Sequence, residues 1–205
     1  MIKRSLFSIW LNDDPILPPL IQRCIDSQKA VEGYEHKLYK LPPQTQFPFP
    51  GAPSMYFVEA KEAKKWVKLS DYMRMLILHQ QGGIYLDADV ELLPGKNFND
   101  LLDCPMFVGQ EKNGIFSNAV VGAEAGHPLL KEYLRRIEDN FRGDGDLVFE
   151  PGIRAFADLL WLQNDLSKGV KILPPDYFYP MDQETRTLTI TPNSRTIHYF
   201  NNSWL

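Results

Sequence analysis

The residues best suited to chemistry lie around two aspartates in the middle of the chain. The apolar run Ile84-Tyr85-Leu86 leads directly into Asp87 and Asp89, which are separated only by the small residue Ala88. Residues two apart on an extended chain point to the same side, so both carboxylates can converge on one ion. Carboxylate oxygens suit hard divalent cations such as Mg²⁺ and Mn²⁺. A D-x-D alone is more often a solvated acidic turn, but one that ends an apolar strand directly after a Gly-Gly turn favours a metal site with both aspartates as ligands.

A second charged pair, Asp71 and Arg74, precedes this run on a stretch with helical spacing and mostly apolar neighbours. Residues three apart share one face of a helix. A buried pair of this kind is either a structural ion pair or part of a polar site, and the pair alone leaves both interpretations open. Gly82-Gly83 then allows a sharp turn into the strand that delivers Asp87 and Asp89. In open α/β sheets, ligands bind beyond the carboxyl ends of the strands, which favours a functional site.

The elements that position these residues follow from hydropathy periodicity and from Pro and Gly placement. The predicted strands are 6–11, 36–39, 84–86, 106–109, 118–122, 170–173, 187–190 and 196–200. The predicted helices are 17–31, 56–66, 67–81, 128–141 and 151–162. Five prolines within 42–53 predict an extended loop. This alternation predicts an α/β fold with a mainly parallel central sheet flanked by helices, an antiparallel piece near the end, and one domain over 1–205.

Composition narrows the class of protein. The chain has 205 residues, 44% hydrophobic and 23% charged, with a formal net charge of -4. These values indicate a soluble, core-forming protein and argue against nucleic acid as a partner, because no basic field attracts phosphates. An anionic ligand would then need a bound cation. No apolar run approaches the roughly 18 residues of a membrane-spanning helix. Cys24 and Cys104 lack C-x-x-C spacing, so we expect a reducing, cytoplasmic compartment.

The motifs together resemble a known family. The pattern Ser70-Asp71-x-x-Arg74 followed by Gly82-Gly83-x-Tyr85-x-Asp87-x-Asp89 is similar to the D-x-D sugar-nucleotide region of glycosyltransferase family 32. That family includes bacterial capsule and lipopolysaccharide sugar transferases and fungal mannosyltransferases, and glucosylating bacterial toxins share its core. The segments 7–11, 117–128, 172–180 and 197–204 also resemble the family, so the likeness covers nearly the whole chain. It implies a GT-A fold and retaining transfer from a nucleotide sugar.

The resemblance implies one set of residues for the metal and the diphosphate. Asp89 matches the direct metal ligand, and Asp87 matches the aspartate that contacts ribose and sugar and reaches the metal through water. His198 resembles the C-terminal histidine that completes the metal site, although a lone histidine is more often a buried structural residue. Ser203 and Trp204 resemble a pair that touches the metal and the diphosphate. The implied cofactor is Mn²⁺ or Mg²⁺.

It also implies residues for the donor. Asp71 and Arg74 match residues that grip the donor sugar and its phosphate side, and Asn118 matches a polar residue near that sugar. Trp10 matches the position whose indole stacks on the base, with a core aromatic as the alternative. The catalytic set is then Asp87, Asp89 and Arg74, acting by electrostatic stabilisation of the leaving diphosphate rather than through a protein nucleophile.

These expectations combine into one function. The predicted enzyme is a metal-dependent retaining hexosyltransferase that moves a hexose or N-acetylhexosamine from a nucleotide sugar, with UDP-sugars favoured over GDP-mannose. The implied acceptor is a glycan or lipid-linked glycan, and the implied process is surface (capsule) polysaccharide synthesis in the cytoplasm, with peripheral membrane association at its inner face. Two alternatives are a catalytically inactive nucleotide-sugar-binding module and, less favoured, a metal-dependent phosphatase.

Overall fold

The computed structural model describes residues 1–11, 16–40, 54–112, 114–141, 152–162 and 169–201. The strands in these ranges are β1 Ser5–Trp10, β2 Glu35–Lys40, β3 Gly83–Leu86, β4 Val90–Leu92, β5 Met106–Gln110, β6 Phe116–Ala123, β7 Val170–Leu173 and β8 Thr196–His198. The helices are α1 Pro19–Lys29, α2 Met55–Glu62, α3 Trp66–Gln81, α4 Pro128–Asn140, α5 Ile153–Leu162 and α6 Pro175–Phe178, and a 3-10 turn covers Asn99–Leu101.

The central sheet has six strands in the order β2-β1-β3-β6-β5-β7. All of its pairings are parallel except those of β6, which runs antiparallel to β3 and β5. The sheet is therefore mainly parallel, as predicted. Because Leu86 at the end of β3 pairs with Val120 in β6, the start of β6 and the carboxyl end of β3 share one edge of the sheet. This edge carries most of the candidate site residues.

A separate antiparallel pair, β4 with β8, confirms the predicted antiparallel piece near the end of the chain. Its register places Val90 opposite His198 and Leu92 opposite Thr196. Since β4 begins directly after Asp89, this short ladder brings the residues around 198 back to the D-x-D segment. The pairing is the structural reason why two distant parts of the sequence meet at one site.

Apolar packing covers both faces of the sheet. On one face, α3 and α4 bury a cluster that includes Met75, Leu78 and Tyr133. On the other face, the rings of Phe107 and Phe178 lie 5.8 Å apart in a second cluster. Helix α3 is buried along nearly its whole central length, as its apolar sequence predicts. A rigid, fully packed scaffold therefore holds Asp71 and Arg74 in place.

The turn from α3 into β3 requires glycine at both positions. Gly82 has φ +67° and Gly83 has φ +115°, in a region of backbone conformation that residues with a Cβ atom rarely adopt. A Cβ on Gly83 would lie 2.8 Å from the Ser5 carbonyl oxygen, and one on Gly82 would lie 2.8 Å from the Ala125 nitrogen. The turn thus depends on both glycines.

Several predicted boundaries differ from the structure. The strand predicted at 187–190 is wrong: the segment makes only an isolated bridge between Leu188 and Met181, and most of it stays exposed. Instead, the preceding turn is closed locally, with the Asp182 carboxylate accepting from the Thr185 backbone. The helix predicted at 56–66 ends at Glu62, because Lys64 takes a positive φ of 52°. The predicted loop 42–53 lies outside the described residues.

Within the described ranges, the helices are all too short or too polar to traverse a lipid bilayer.

Candidate active site

The D-x-D segment is fixed to the sheet by its backbone. The Asp87 N–H donates to the Ala119 carbonyl at 2.8 Å, which continues the β3–β6 ladder by one bond. Buried Gln28 of α1 donates through Nε2 to the carbonyls of Asp87 at 3.2 Å and Val90 at 2.7 Å. The Ser8 hydroxyl donates in turn to Gln28 Oε1 at 2.6 Å. This network holds the turn between β3 and β4, so the two aspartates are preorganised.

Arg74 is the hub of the site. Its guanidinium is 5% exposed and lies 2.9 Å from Asp71 Oδ1 and 3.2 Å from Asp87 Oδ1. Nη1 also donates to Asn118 Oδ1 and to the Asn118 carbonyl, each at 3.1 Å. The Tyr85 ring lies under the guanidinium at 4.7 Å, in cation–π range. The ion pair of Asp71 and Arg74 is therefore part of a larger polar cluster.

The carboxylates of Asp71 and Asp87 both lie next to the Arg74 guanidinium. Asn118 Nδ2 donates to Asp71 Oδ1 at 3.0 Å, which fixes the carboxylate against β6. Burial raises the pKa of Asp71 to about 6, and Arg74 opposes that rise. Burial also raises the pKa of Asp87, again against Arg74. The excess of buried negative charge makes the site favourable for a further cation.

Asp87, Asp89 and His198 form a group whose candidate ligand atoms all lie within 4.8 Å of one another. His198 Nε2 is 3.4 Å from Asp89 Oδ1 and 3.9 Å from Asp87 Oδ2. The Asn201 N–H donates to Asp89 Oδ2 at 2.8 Å and orients that carboxylate. Two carboxylates and one imidazole suit Mn²⁺ or Mg²⁺, so the residues fit the implied metal.

Electrostatics at this group also favour positive charge. Burial alone would raise the pKa of Asp89, but His198 and the Asn201 N–H outweigh burial and lower it. Burial alone would lower the pKa of His198, but Asp89 and Asp87 outweigh burial and raise it. In the part of the chain that the structure describes, the buried Nδ1 atom of His198 has no hydrogen-bond partner. The imidazole is therefore held by packing and by the two carboxylates.

Six of the nine predicted site residues line one cleft of about 310 Å³: Asp71, Arg74, Asp87, Asp89, Asn118 and His198. Trp10 is not in its lining. The Trp10 side chain is 3% exposed and packs against Ile21, Ile25 and Ala88, so it contributes to the core beside the D-x-D turn. Ser203 and Trp204 lie outside the described residues.

Some residues of the site were not singled out from the sequence. The Tyr85 hydroxyl donates to Asp87 Oδ1, and the two-residue period of a strand would have placed both side chains on one side. Gln28 is a polar residue within the apolar spacing of α1, which is a recognisable signal. Phe200, whose ring lies 4.1 Å from the His198 ring, and Glu111 line the cleft without any local signal.

Comparisons with known proteins agree with this geometry. Residues 22–107 match the family model described as "Glycosyltransferase sugar-binding region containing DXD motif". "Inositol phosphoceramide mannosyltransferase 3" of Schizosaccharomyces pombe is 35% identical over 71 residues, which are 35% of this chain and 19% of that protein. "Lactosylceramide 4-alpha-galactosyltransferase" of Pan troglodytes is 28% identical over 119 residues, which are 55% of this chain and 32% of that protein. The chain thus spans at most about a third of these two relatives.

The solved structure "PaToxG Glycosyltransferase" superposes with a TM-score of 0.65 at 19% identity, covering 79% of this chain and 70% of that one. This superposition shows that the chain has the predicted GT-A fold, a six-stranded central sheet flanked by helices. The match of residues 22–107 to the DXD-containing sugar-binding region confirms the resemblance found in the sequence for that part of the chain.

Proposed function

We propose that this protein transfers a hexose or N-acetylhexosamine from a nucleotide sugar to a hydroxyl acceptor, with retention of anomeric configuration and with a divalent cation as cofactor. UDP-sugars are the favoured donors and GDP-mannose is the second choice. The observation that carries the proposal is the single cleft in which the Asp87, Asp89 and His198 group adjoins the Arg74 cluster. One end of this cleft is suited to a cation and the other end to the donor sugar.

The roles follow from the charges. Asp87, Asp89 and His198 would hold Mn²⁺ or Mg²⁺, which supplies positive charge to the diphosphate when bound. Arg74 adds a fixed cation to the same region, and its position is set by two carboxylates and Asn118. Preorganised positive charge of this kind lowers the energy of a leaving group that gains negative charge.

Donor recognition is divided among the remaining groups. Asp71 and Asn118 form a hydrogen-bonded acceptor and donor pair that can bind sugar hydroxyls. Trp10 stays a candidate for stacking on the base, although its burial in the core requires a rearrangement before any face is exposed. Ser203 and Trp204 stay candidates for contacts with the metal and the diphosphate.

The proposed acceptor is a glycan or a lipid-linked glycan. Both relatives described above are named for ceramide-based acceptors, which supports the lipid-linked class. Synthesis of a surface polysaccharide in the cytoplasm, at the inner face of the membrane, is the corresponding proposed process.

Thermal unfolding with added ligands tests the proposal. UDP-glucose, UDP-galactose, UDP-N-acetylglucosamine and GDP-mannose are each added with Mn²⁺ or with EDTA. A donor in hundredfold excess over its dissociation constant stabilises the protein by about 2.7 kcal/mol. We expect a rise in Tm only when donor and metal are both present, together with release of the free nucleotide on longer incubation.

The variant Asp89→Asn keeps the shape of the side chain but removes its charge. We expect it to abolish metal-dependent donor binding and turnover, whereas Asp103→Asn, at an exposed position away from the cleft, behaves like the wild type. Full turnover by Asp89→Asn in EDTA would rule out the metal-dependent mechanism. Metal-dependent binding without any turnover would instead favour an inactive nucleotide-sugar-binding module.

A further inference from the structure

We propose that a second cavity beside the donor cleft is the subsite for an acceptor sugar, and that Glu111 binds an acceptor hydroxyl at the junction of the two. The inference deepens the proposed glycosyl transfer and rests on it. Glu111 directly follows β5, whose carboxyl end lies at the same edge of the sheet as that of β3.

The two cavities adjoin each other. The second has a volume of about 250 Å³ and is lined in part by Tyr179 and Met181. Glu111, Gln183 and Phe200 line both this cavity and the donor cleft of about 310 Å³. A volume slightly below that of a typical small-molecule pocket suits one sugar ring. A ligand in the second cavity would therefore contact whatever occupies the donor cleft across these three shared side chains.

Glu111 is a buried carboxylate that offers its oxygen atoms to a ligand. Glu111 is 8% exposed, and its backbone forms hydrogen bonds with the backbones of Ile115 and Gly114. No side chain or backbone group in the described part of the chain donates a hydrogen bond to the carboxylate. Its oxygen atoms are not among the fully enclosed side-chain atoms that lack a partner, so they are open to the cavity, where the hydroxyls of a ligand can donate to them.

The charge of Glu111 selects the kind of ligand. An ionised carboxylate only accepts hydrogen bonds and repels phosphate, whereas neutral hydroxyls donate to it readily. Glu111 and His198 line the same cleft, so the carboxylate shares a wall with the group proposed to hold the metal. A neutral polyhydroxylated acceptor suits this position, and a second nucleotide does not.

The other walls of the cavity are consistent with a sugar. Phe200 is half-buried and presents aromatic surface against which the C–H groups of a sugar ring can pack. On the rim, Lys112 and Asp182 form an ion pair at 3.9 Å, which places both a donor and an acceptor within reach of ring hydroxyls. The cavity thus combines aromatic side chains with charged groups of both signs.

Methyl NMR on the full chain tests this subsite directly. Met181 lines the second cavity, while Met73 and Met75 are buried in the core and serve as internal references. The protein is labelled with ¹³C at the methionine methyls and saturated with UDP and diamagnetic Mg²⁺, which leaves nearby methyl resonances sharp. Methyl glycosides of glucose, galactose, mannose and N-acetylglucosamine are then titrated, and the titrations are repeated without nucleotide. We expect at least one glycoside to shift the Met181 resonance and to leave the reference resonances in place.

Three variants complete the test. Glu111→Gln should weaken glycoside binding about tenfold, the equivalent of one hydrogen bond to a charged group. Gln183→Ala should weaken glycoside binding to a smaller extent. Because Gln183 is exposed, this substitution should not affect folding. Glu35→Gln, exposed on β2, should bind the glycoside like the wild type.

Unchanged Met181 resonances with every glycoside, or wild-type glycoside affinity in both Glu111→Gln and Gln183→Ala, would overturn the subsite. Calorimetric titration of UDP into nucleotide-free protein in the presence of Mg²⁺ reports on the proposed function separately. Loss of nucleotide binding would contradict that function, whereas intact nucleotide binding without a glycoside response would contradict only the acceptor subsite.

Discussion

Replacement of Arg74 by methionine tests whether the polar hub determines the stability of the site. The substitution keeps an unbranched apolar side chain but removes the cation between Asp71 and Asp87, which lie 2.9 and 3.2 Å from the guanidinium. Removing one partner of a buried ion pair typically costs about 3–5 kcal/mol, because a buried charge is left uncompensated. We expect a loss of this size in the free energy of unfolding at pH 7.5.

The loss should depend on pH in a defined direction. The pKa of Asp71 is already raised to about 6 by burial, and it rises further when Arg74 is removed. In the unfolded chain the pKa of an aspartate is about 3.9. Between these values the folded variant binds more protons than the unfolded one, so its free energy of unfolding falls as pH rises. At pH 5 the difference from the wild type should shrink by more than about 1.4 kcal/mol, the equivalent of one pKa unit.

Urea unfolding followed by circular dichroism at pH 5 and pH 7.5, with EDTA throughout, measures both effects. The double variant Arg74→Met with Asp71→Asn is the control, because it removes one of the two uncompensated carboxylates. We expect the double variant to be more stable at pH 7.5 than Arg74→Met alone and to show a weaker pH dependence. A loss below about 1 kcal/mol in Arg74→Met, or no recovery in the double variant, would refute the assignment of Arg74 as the hub.

Two further changes test the turn and the hydrogen bonds around the D-x-D segment. Gly83→Ala should cost about 2–4 kcal/mol in urea unfolding, because its Cβ would meet the Ser5 carbonyl at 2.8 Å. Gly95→Ala, at φ +73° with open space around the Cβ, should cost only about 1 kcal/mol, so equal losses would contradict the close approach. Tyr85→Phe removes the donor to Asp87 and should cost about 1–2 kcal/mol of stability and lower donor turnover, so unchanged turnover would show that this hydrogen bond does not orient the carboxylate.

Much of the site could be predicted because its central part is local in sequence. Asp71 and Arg74 lie on one helix, and the Gly-Gly turn, strand β3 and both aspartates follow within a few residues, so periodicity alone places them together. The contact of Asn118 with Arg74 could not be predicted in this way. It depends on the antiparallel direction of β6, which the hydropathy pattern of a buried strand does not specify.

The contacts of His198 and Trp10 could not be predicted from local sequence either, because they depend on long-range structure. His198 reaches Asp89 only through the pairing of β4 with β8, and that pairing joins residues more than a hundred positions apart. The strand end at Trp10 was predicted from the sequence, but the packing of α1 over the indole was not. Local propensity can identify an element, whereas its neighbours decide which face of it is buried.

The pairing of β4 with β8 also determines when during synthesis the site forms. Asp87 and Asp89 leave the ribosome long before His198, since chains grow at roughly 5–20 residues per second. The histidine can join them only after β8 has been synthesised and paired with β4. The group of Asp87, Asp89 and His198 is therefore complete only after β3 to β6 have been synthesised and are available to pair. A nascent chain without β8 would offer the proposed metal site its two carboxylates alone, so full cation affinity would require the β4–β8 ladder.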